Sequence, residues 1–521
     1  MIKLQNWFFP SLLATFVIGC SDQASFDFNE KENTAEWLHH GGDHASSKYA
    51  PFDQINANNF EELEVVWRWQ SADLQIPEEL LYSTGDYRAT PLYIDGVLYT
   101  NTNHGQVVAL DPYSGEEIWK FDPESYRFGP PNFSPVQTRG IEYWTDGEAE
   151  RIFLATLGKQ LVSIDIHTGK ADPEFGDNGF IDLKQNLGRL EFEMNNITHG
   201  APPIAVGDSV IIGSKIFDYS MNNRSPPGHV RAYDTYTGEF KWRFNTIPQP
   251  GEEFNETWEN DSWGVAGSTN VWTYMSADDE LGIVYLPTST PTNDYWGGYR
   301  LGENLYAESI VALDAHTGER LWHFQTVHHG LWDYDIASAP NLVDIVVDDK
   351  PIKAVAQVSK TGFTYVFNRL TGEPVWPIAE QPVLTSQVPG ERTAKTQPIP
   401  SLPEPFGRNG TSKEQLNDLT PELRAEAERI AAGYLMGPLY TPPTLVTEES
   451  EGTLMLPGSV GGANWQGAVA DPETATLYVS YAISPEVAGL ISDPDQSSMR
   501  YVLKNATVDG PFDLPLLRPP W

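Results

Sequence analysis

ALDPYSGEEIW, residues 109–119, is the stretch that decides the fold, because the chain repeats its pattern as AYDTYTGEFKW at 232–242, ALDAHTGERLW at 312–322 and VFNRLTGEPVW at 366–376. In each copy an apolar run ends at Asp or Asn, the chain turns at Ser-Gly or Thr-Gly, and a second run reaches Trp eight residues after the polar residue. A polar turn with glycine between two β-prone runs is typical of a β-hairpin. The sequence therefore predicts repeated antiparallel units.

Weaker copies extend the series at 163–170 and at 469–479, where the second one lacks the turn glycine. The polar residues that end the first run of each copy are Asp111, Asp165, Asp234, Asp314, Asn368 and Asp471. Their spacing is irregular, but most intervals have the length of one four-stranded sheet with its loops. A single such sheet cannot bury both faces, so radial packing of sheets around a centre is the expected solution. We predict an all-β propeller of four-stranded blades in one domain. Separate small β-domains are the alternative, although no Ser/Gly-rich or charged linker divides the repeats.

One insertion, at residues 381–435, departs from the repeat. Its Pro-rich first part, residues 381–405, is predicted to be a long ordered or lid-like loop. Thr420 and Pro421 then form an N-cap and a first-turn proline, and Gly433 supplies a stop signal, so a short surface helix is expected between them.

The charge of the chain excludes one class of function. Asp and Glu total 72 against 33 Lys and Arg, which gives a net charge of -39 at pH 7. Such a surface repels phosphate backbones, so no nucleic-acid partner is expected. The ordinary consequence of the charge is solubility.

The first 20 residues are predicted to be a targeting segment. Lys3 precedes an apolar stretch that ends at Val17-Ile18-Gly19-Cys20, which resembles a bacterial lipobox. Cys20, the only cysteine of the sequence, would then carry the lipid, and residues 21–36 would form a flexible tether. We expect a periplasmic protein held by lipid, with Ser21 favouring the outer membrane. An ordinary signal peptide with an incidental cysteine is the alternative.

The repeat occurs together with five more specific motifs: HHGGDH at 39–44, TPL at 90–92, RGIEYW at 139–144, VHHGLWDYD at 327–335 and SKTGF at 359–363. With these motifs the chain, from about residue 37 to 521, resembles the pyrroloquinoline quinone (PQQ)-dependent dehydrogenases, and within them the glucose-dehydrogenase-like branch of the quinoprotein alcohol and glucose dehydrogenases. The resemblance implies an eight-bladed propeller, whereas six repeats are recognisable here. We therefore expect a C-terminally truncated chain or a smaller ring.

The resemblance also implies a chemistry. The family oxidises a CH-OH group of a sugar or alcohol with PQQ and Ca²⁺, or another divalent or lanthanide cation, and passes electrons to ubiquinone or a cytochrome. Asp333 matches the catalytic aspartate, a base for the hydroxyl proton and a metal ligand. Lys360, 27 residues later, matches the cation that bonds the quinone oxygens. A base and a charge-stabilising group are what such an oxidation needs.

Five further positions match cofactor or metal contacts of the family. Arg139 would pair with a quinone carboxylate, Trp272 would form a floor under the ring, and His104 would cover its opposite face. Asp218 and Thr290 would be metal ligands. Each also has a structural alternative, as a turn or strand-end residue or as a packing tryptophan.

Two rival hypotheses remain. The same propeller and repeat resemble non-catalytic scaffold lipoproteins of the outer-membrane assembly type, which lack the cofactor site. The side chains of His39, His40, Asp43 and His44 could instead form a hydrolase-type metal site, because imidazoles and a carboxylate lie close together in the sequence. The substrate cannot be read from these residues.

Overall fold

The structure is a computed structural model, and it describes residues 36–129, 132, 136–189, 192–218, 222–504 and 508–518. The predicted leader with Cys20, and the tether up to residue 35, lie outside the described residues. Among the described residues, no helix has the length and apolar character needed to cross a membrane.

Four antiparallel sheets of four or five strands follow one another along the chain. Sheet 1 contains β1 (Leu92–Ile94), β2 (Val97–Asn101), β3 (Val107–Leu110) and β4 (Glu117–Phe121). Sheet 2 contains β5 (Glu142–Thr145), β6 (Glu150–Ala155), β7 (Gln160–Asp165), β8 (Lys170–Ala171) and β9 (Phe180–Asp182). The pair β10 (Ile197–Thr198) and β13 (Lys215–Ile216) flanks sheet 3, which contains β11 (Ile204–Val206), β12 (Ser209–Ile212), β14 (Val230–Asp234) and β15 (Phe240–Phe244). Sheet 4 contains β16 (Ser276–Asp278), β17 (Ile283–Pro287), β18 (Ser309–Asp314) and β19 (Arg320–Gln325).

The C-terminal part is less regular. Sheet 5 has three strands, β20 (Asn341–Val347), β21 (Lys350–Val358) and β22 (Thr364–Asn368). The hairpin of β23 (Ile378–Pro382) and β24 (Thr396–Pro400) follows it. A mixed sheet then contains β25 (Tyr434–Leu435), β26 (Thr444–Leu445), β27 (Gly452–Met455), β30 (Glu486–Ile491) and β31 (Val502–Lys504). Between β27 and β30 lies the hairpin of β28 (Ala468–Asp471) and β29 (Thr476–Val479).

Helices are few and short. The described residues contain one α-helix, α1 (Pro421–Ala431), which begins after Thr420, whose side chain accepts a hydrogen bond from the Leu423 amide. The 3₁₀ helices are Phe60–Glu62, Ala72–Gln75, Glu78–Leu80, Ser125–Phe128, Met194–Asn196, Asn255–Thr257, Glu259–Gly264, Lys413–Gln415 and Pro511–Asp513.

Most of the Pro-rich stretch, residues 383–395 and 401–405, has neither strand nor helix. The hairpin of β23 and β24 encloses the first of these loops, with a register that runs from Ile378 opposite Pro400 to Pro382 opposite Thr396. Proline cannot donate a ladder hydrogen bond, so it is tolerated on strands whose outer edge needs no donor. A two-stranded hairpin meets that condition, which is why a proline-rich stretch can still pair.

Consecutive sheets pack face to face through shared apolar clusters. Leu92 of sheet 1 shares a cluster with Ile152 of sheet 2. Equivalent clusters join sheets 2 and 3, sheets 3 and 4, and sheets 4 and 5. Leu477 of the β28–β29 hairpin packs on Ala356 of sheet 5 and continues the series. Sheets that each pack only on their sequence neighbours are the blades of a propeller, so the predicted fold class is confirmed.

The repeated tryptophans join one sheet to the next. The indole Nε1 atoms of Trp119, Trp242 and Trp322 donate to the carbonyls of Ile166, Ala315 and Arg369, at 2.9, 3.1 and 3.1 Å. Each ring lies against the turn glycine of the next repeat, where a Cβ atom would overlap it. Trp67 makes the same contact with Gly115 and the Pro112 carbonyl. The copy at 163–170 has no tryptophan, and Gly238, the turn glycine of the next copy, packs on Ile181 instead.

A segment of residues 37–48, here called the central segment, joins the sheets at their first strands. Trp37 and Tyr93 of β1 exchange backbone hydrogen bonds, and the His44 carbonyl accepts from Ala277 of β16. The same segment accepts from the first strand of sheet 5 and from β28. These contacts place the central segment where the first strands of several sheets converge.

Candidate active site

A cavity of about 520 Å³ lies at the ends of several sheets. Its walls include Arg139, Asp218, Trp272, Asp333 and Lys360, five of the residues predicted for the site. Four of them lie near a strand: Arg139 before β5, Asp218 after β13, Trp272 before β16 and Lys360 after β21. Asp333 lies in the loop between β19 and β20. The volume is within the range of small-molecule sites, roughly 300–1,000 Å³.

Lys360 joins two aspartates at the centre of this cavity. Its Nζ donates to the Asp333 carbonyl at 2.8 Å, to Asp333 Oδ1 at 2.9 Å and to Asp335 Oδ2 at 3.2 Å. Burial lowers the pKa of Lys360, but the two carboxylates outweigh burial and raise the pKa above its ordinary value. The lysine is therefore a fixed positive charge.

The Asp333 backbone is in the left-handed region, with φ of 55°. Aspartate and asparagine tolerate that region better than most residues, although it still costs about 1 kcal/mol or more. The Asp333 side chain is 26% exposed, against 9% for Asp335, so Asp333 is the aspartate with more surface on the cavity.

Carboxylates outnumber cations around Lys360. Burial raises the pKa of Asp333 and Asp294 well above the ordinary value, and neighbouring carboxylates add to the effect in both. Asp218 keeps accessible surface on the cavity, yet protein surrounds it deeply enough that burial, together with Asp335, raises its pKa to about 6. Clustered acids that resist ionisation are the setting in which a hard divalent cation binds most favourably.

Arg139 carries unused donors in the same cavity. The residue is buried, and its Nε and Nη1 atoms have no hydrogen-bond partner among the described residues. The guanidinium carbon lies 5.2 Å from the ring centre of Trp272, within cation–π range. Burial lowers the pKa of Arg139 to about 10. A buried arginine with free donors over an aromatic plane suits a flat, carboxylate-bearing ligand.

Thr290, predicted as a metal ligand, does not line the cavity, and that role stays a prediction. Its amide donates to Asp335 Oδ1 at 2.7 Å and its hydroxyl donates to Glu308 Oε1 at 2.9 Å. Asp335 Oδ2 also accepts from Trp272 Nε1 at 2.9 Å. Thr290 therefore positions Asp335, and Asp335 in turn holds the Trp272 ring.

His104, predicted to cover the cofactor ring, has both ring nitrogens in contact with other residues. Its Nε2 accepts from the Tyr82 amide at 3.2 Å and its Nδ1 lies 3.0 Å from Asp73 Oδ2, while the ring is absent from the cavity wall. Because one nitrogen accepts from a backbone N–H, the other carries the proton and donates to Asp73. Both nitrogens thus fix the loop around residues 73–82, and the role of His104 as a cover for the cofactor stays a prediction.

The four-residue metal set of the rival hypothesis does not come together. His40 stacks on Tyr274 with ring centres 3.3 Å apart, and Asp43 accepts hydrogen bonds from the amide and hydroxyl of Ser47. His39 and His44 do meet, at Glu142 of β5.

Sequence reasoning missed three acids of the site, Asp294, Glu308 and Asp335. Asp335 had a signal, since it ends the same WDYD run as Asp333. Glu308 had none: burial raises its pKa to about 8, and a Cβ atom on Gly330 would overlap its carboxylate. Gly330 is therefore required by Glu308, a contact that only the fold creates.

A propeller with a cavity that offers acids for a cation and an arginine for an anion defines the class of protein. The family model of the PQQ glucose/ethanol/alcohol dehydrogenase β-propeller domain matches residues 37–521. The chain therefore belongs to this PQQ-dependent dehydrogenase family, as its motifs indicated.

Curated relatives and solved structures agree. The chain is 29% identical to quinoprotein glucose dehydrogenase A of Acinetobacter calcoaceticus, over 94% of this chain and 64% of that protein. It is 31% identical to the quinate/shikimate dehydrogenase (quinone) of Acinetobacter baylyi, over 85% of this chain and 56% of that protein. A solved quinohemoprotein alcohol dehydrogenase of Pseudomonas putida superposes with a TM-score of 0.64 at 25% identity, covering 89% of this chain and 59% of that one. The chain thus spans 56–64% of the length of the two curated relatives.

Proposed function

We propose that this protein is a PQQ-dependent dehydrogenase that oxidises a CH-OH group of a sugar or alcohol. The observation that carries the proposal is the contact of Lys360 with Asp333 and Asp335 inside a cavity that also contains Arg139 and Trp272. A non-catalytic scaffold has no use for a buried base, a fixed cation and an unpaired guanidinium in one cavity, since each costs stability.

The residues present fit both implied groups. Arg139, Lys360 and Trp272 would hold the quinone, because the unused donors of Arg139 match a carboxylate and the indole offers an aromatic plane. Asp218, Asp333 and Asp335 would hold Ca²⁺ or a lanthanide ion, both of which prefer oxygen ligands. When bound, the quinone supplies an acceptor for two electrons and the cation supplies a Lewis acid.

Asp333 is the base of the proposed reaction. Lys360 holds Asp333 Oδ1 and the Asp333 carbonyl, so the carboxylate is oriented before substrate arrives. Lys360 also lowers the pKa of Asp333 against the effect of burial, which favours the ionised form that can take a hydroxyl proton. Asp335 positions the Trp272 ring and leaves the proton transfer to its more exposed neighbour.

The test is a dye-reduction assay with PQQ and Ca²⁺ over aldoses and primary alcohols. Asp333→Asn should lower kcat by about 10²–10⁴-fold, the usual contribution of a general base, while quinone binding persists. Asparagine is the right replacement because it tolerates the left-handed backbone of Asp333.

Asp348→Asn is the matched control, since Asp348 lies in an exposed turn with φ of 49° and should keep full activity. Equal activity of Asp333→Asn and the parent, or turnover of the parent without quinone, would remove the mechanism.

The location and the electron acceptor are part of the same proposal. The lipobox-like run at Val17-Ile18-Gly19-Cys20 supports export to the periplasm with a lipid on Cys20, where ubiquinone or a cytochrome would take the electrons. Labelling with radioactive palmitate should mark the parent and leave Cys20→Ser unlabelled. Label on both chains, or on neither, would contradict the anchor.

A further inference from the structure

A second cluster of ligand-type side chains lies where the central segment meets sheet 2. His39 Nδ1 is 3.3 Å and His44 Nε2 is 2.8 Å from the same atom, Glu142 Oε1. One ligand atom from each of the three residues lies within 4.8 Å of the others. Glu142 is buried in β5, and its Oε1 also accepts from the Ala205 amide at 3.0 Å, so the carboxylate is fixed.

We propose that His39, His44 and Glu142 bind a zinc-class transition-metal ion. Zinc takes histidine nitrogen and carboxylate oxygen at about 2.0–2.2 Å, which separates two ligand atoms of a tetrahedral site by about 3.4 Å. The His39–Glu142 distance of 3.3 Å matches that separation, and the 2.8 Å of His44–Glu142 needs a small opening. Two imidazoles select zinc over calcium, which prefers oxygen.

The hydrogen bonds of His44 Nδ1 leave Nε2 as the ring nitrogen that can bind a metal ion. His44 Nδ1 lies 2.8 and 2.9 Å from the two carboxylate oxygens of Asp279, so Nδ1 carries a proton and donates it there. Nε2 then faces Glu142 Oε1 at 2.8 Å. Two acceptor atoms at that distance need a cation between them, either a proton on Nε2 or a metal ion, and a carboxylate–histidine–metal arrangement is a common form of the second.

His39 distinguishes a metal ion from a proton as that cation. Its Nδ1 is buried, and its 3.3 Å contact with Glu142 Oε1 lacks the alignment of a hydrogen bond. A proton on His44 would satisfy the His44–Glu142 pair and leave the His39 nitrogen, among the described residues, with that unaligned contact alone. One metal ion satisfies both imidazoles and the carboxylate at once.

The surroundings indicate an open coordination position. His39 and His44 both line a cavity of about 420 Å³ that Trp144, Asp208 and Tyr236 also border. With three protein ligands, two of which line this cavity, the fourth position is left to water or a small ligand. None of the three ligands is among the residues that line the quinone cavity, so the two sites can be loaded separately. The ion would also tie the central segment to β5.

The experiment uses the full chain, stripped of metal with a chelator and then saturated at its quinone cavity with PQQ and Ca²⁺. Zn²⁺ is titrated into this protein against a chromophoric chelator, and Co²⁺ is titrated separately for its visible absorption. We expect one Zn²⁺ per chain and a Co²⁺ spectrum of a low-coordinate site. His44→Gln should lower the affinity by about 100-fold or more, and Asp279→Asn by about 10–100-fold, as expected for an outer carboxylate.

Two variants keep the test interpretable. Asp279 is 62% exposed, so Asp279→Asn should fold normally and report on metal affinity alone. His316→Gln is the control, because His316 is an exposed histidine that pairs with Asp208 outside the cluster, and its affinity for Zn²⁺ should equal that of the parent. A parent that retains no Zn²⁺, or a His44→Gln chain that binds it as tightly as the parent does, would overturn the proposal and leave a protonated ion pair in its place.

Discussion

Replacing Gly372 by alanine should destabilise the propeller by an amount that depends on a tryptophan in the preceding sheet. Gly372 has φ of +74°, and a Cβ atom there would lie 2.7 Å from Cγ and Cδ2 of Trp322. The left-handed backbone costs an alanine about 1–2 kcal/mol. Overpacking of the indole adds about 1–3 kcal/mol, since it must move by roughly 1 Å to restore van der Waals contact. The expected loss in the free energy of unfolding is therefore about 2–5 kcal/mol.

A double-mutant cycle separates the cost of the left-handed backbone from the cost of overpacking the indole. Trp322→Ala alone should cost about 3–5 kcal/mol, through lost burial and the lost hydrogen bond to the Arg369 carbonyl. In that background Gly372→Ala meets no ring and should cost only its backbone term, so the coupling energy is about 1–3 kcal/mol. Gly282→Ala is the matched control, because Gly282 has φ of +66° and open space around the Cβ position.

Urea unfolding followed by circular dichroism measures the four chains of the cycle and the Gly282→Ala control, with midpoints compared at constant m. If Gly372→Ala costs no more than Gly282→Ala, or if removing the indole does not relieve it, the tryptophan–glycine contact is not what joins the sheets.

Three other outcomes are expected. Arg139→Met should weaken quinone binding by about 10–100-fold and yet stabilise the ligand-free protein by about 1–3 kcal/mol, because it removes a buried cation with unused donors. Quinone titration measures the loss of affinity and urea midpoints measure the gain in stability. A loss of stability would contradict the argument. Asp335→Asn should lower Ca²⁺ affinity at least tenfold and alter Trp272 fluorescence, with unchanged Ca²⁺ affinity as the contrary result. His323→Asn should make the fold less sensitive to acid. Burial lowers the pKa of His323 to about 4, whereas an unfolded histidine titrates near 6.5, so the unfolded chain gains a proton first as the pH falls and the parent loses about 3 kcal/mol between those values. Parallel pH–stability curves for parent and variant would refute that account.

The fold was predictable because the tryptophan–glycine contact that joins its sheets is formed by residues of the sequence repeat. Four copies contain a turn glycine that receives a tryptophan from an earlier segment, and three contain a tryptophan that reaches the next copy, so the spacing within one copy encodes the packing between two. Where the copy at 163–170 lacks the tryptophan, Ile181 replaces it on Gly238. The hairpin of β23 and β24 was not predictable in the same way, because proline content predicts a loop and the pairing partner is not a local property.

The site was predictable in part because several of its residues lie in short recognisable runs. Asp333 lies in WDYD and Lys360 in SKTGF, and the fold brings Lys360 Nζ within 2.9 Å of Asp333 Oδ1. Thr290 and Glu308 contact residues that are distant in the sequence, and no periodicity of the sequence predicts such contacts. The partners of the two His104 ring nitrogens, Asp73 and Tyr82, were not predictable for a related reason, since they lie in a loop whose path only the fold determines.

The electrostatics of the cavity argue for a ligand of mixed charge. The carboxylates of Asp218, Asp294 and Asp333 repel one another, and Lys360 contacts Asp333 and Asp335 without neutralising the whole group. Arg139 could have paired with one of them, but its free donors lie over Trp272 instead. A fold that keeps acids and a guanidinium apart in one cavity stays less stable until a cation binds the acids and an anion binds the guanidinium. Quinone and cation should therefore raise the midpoint of unfolding more together than the sum of their separate effects, because each removes a charge that opposes the binding of the other.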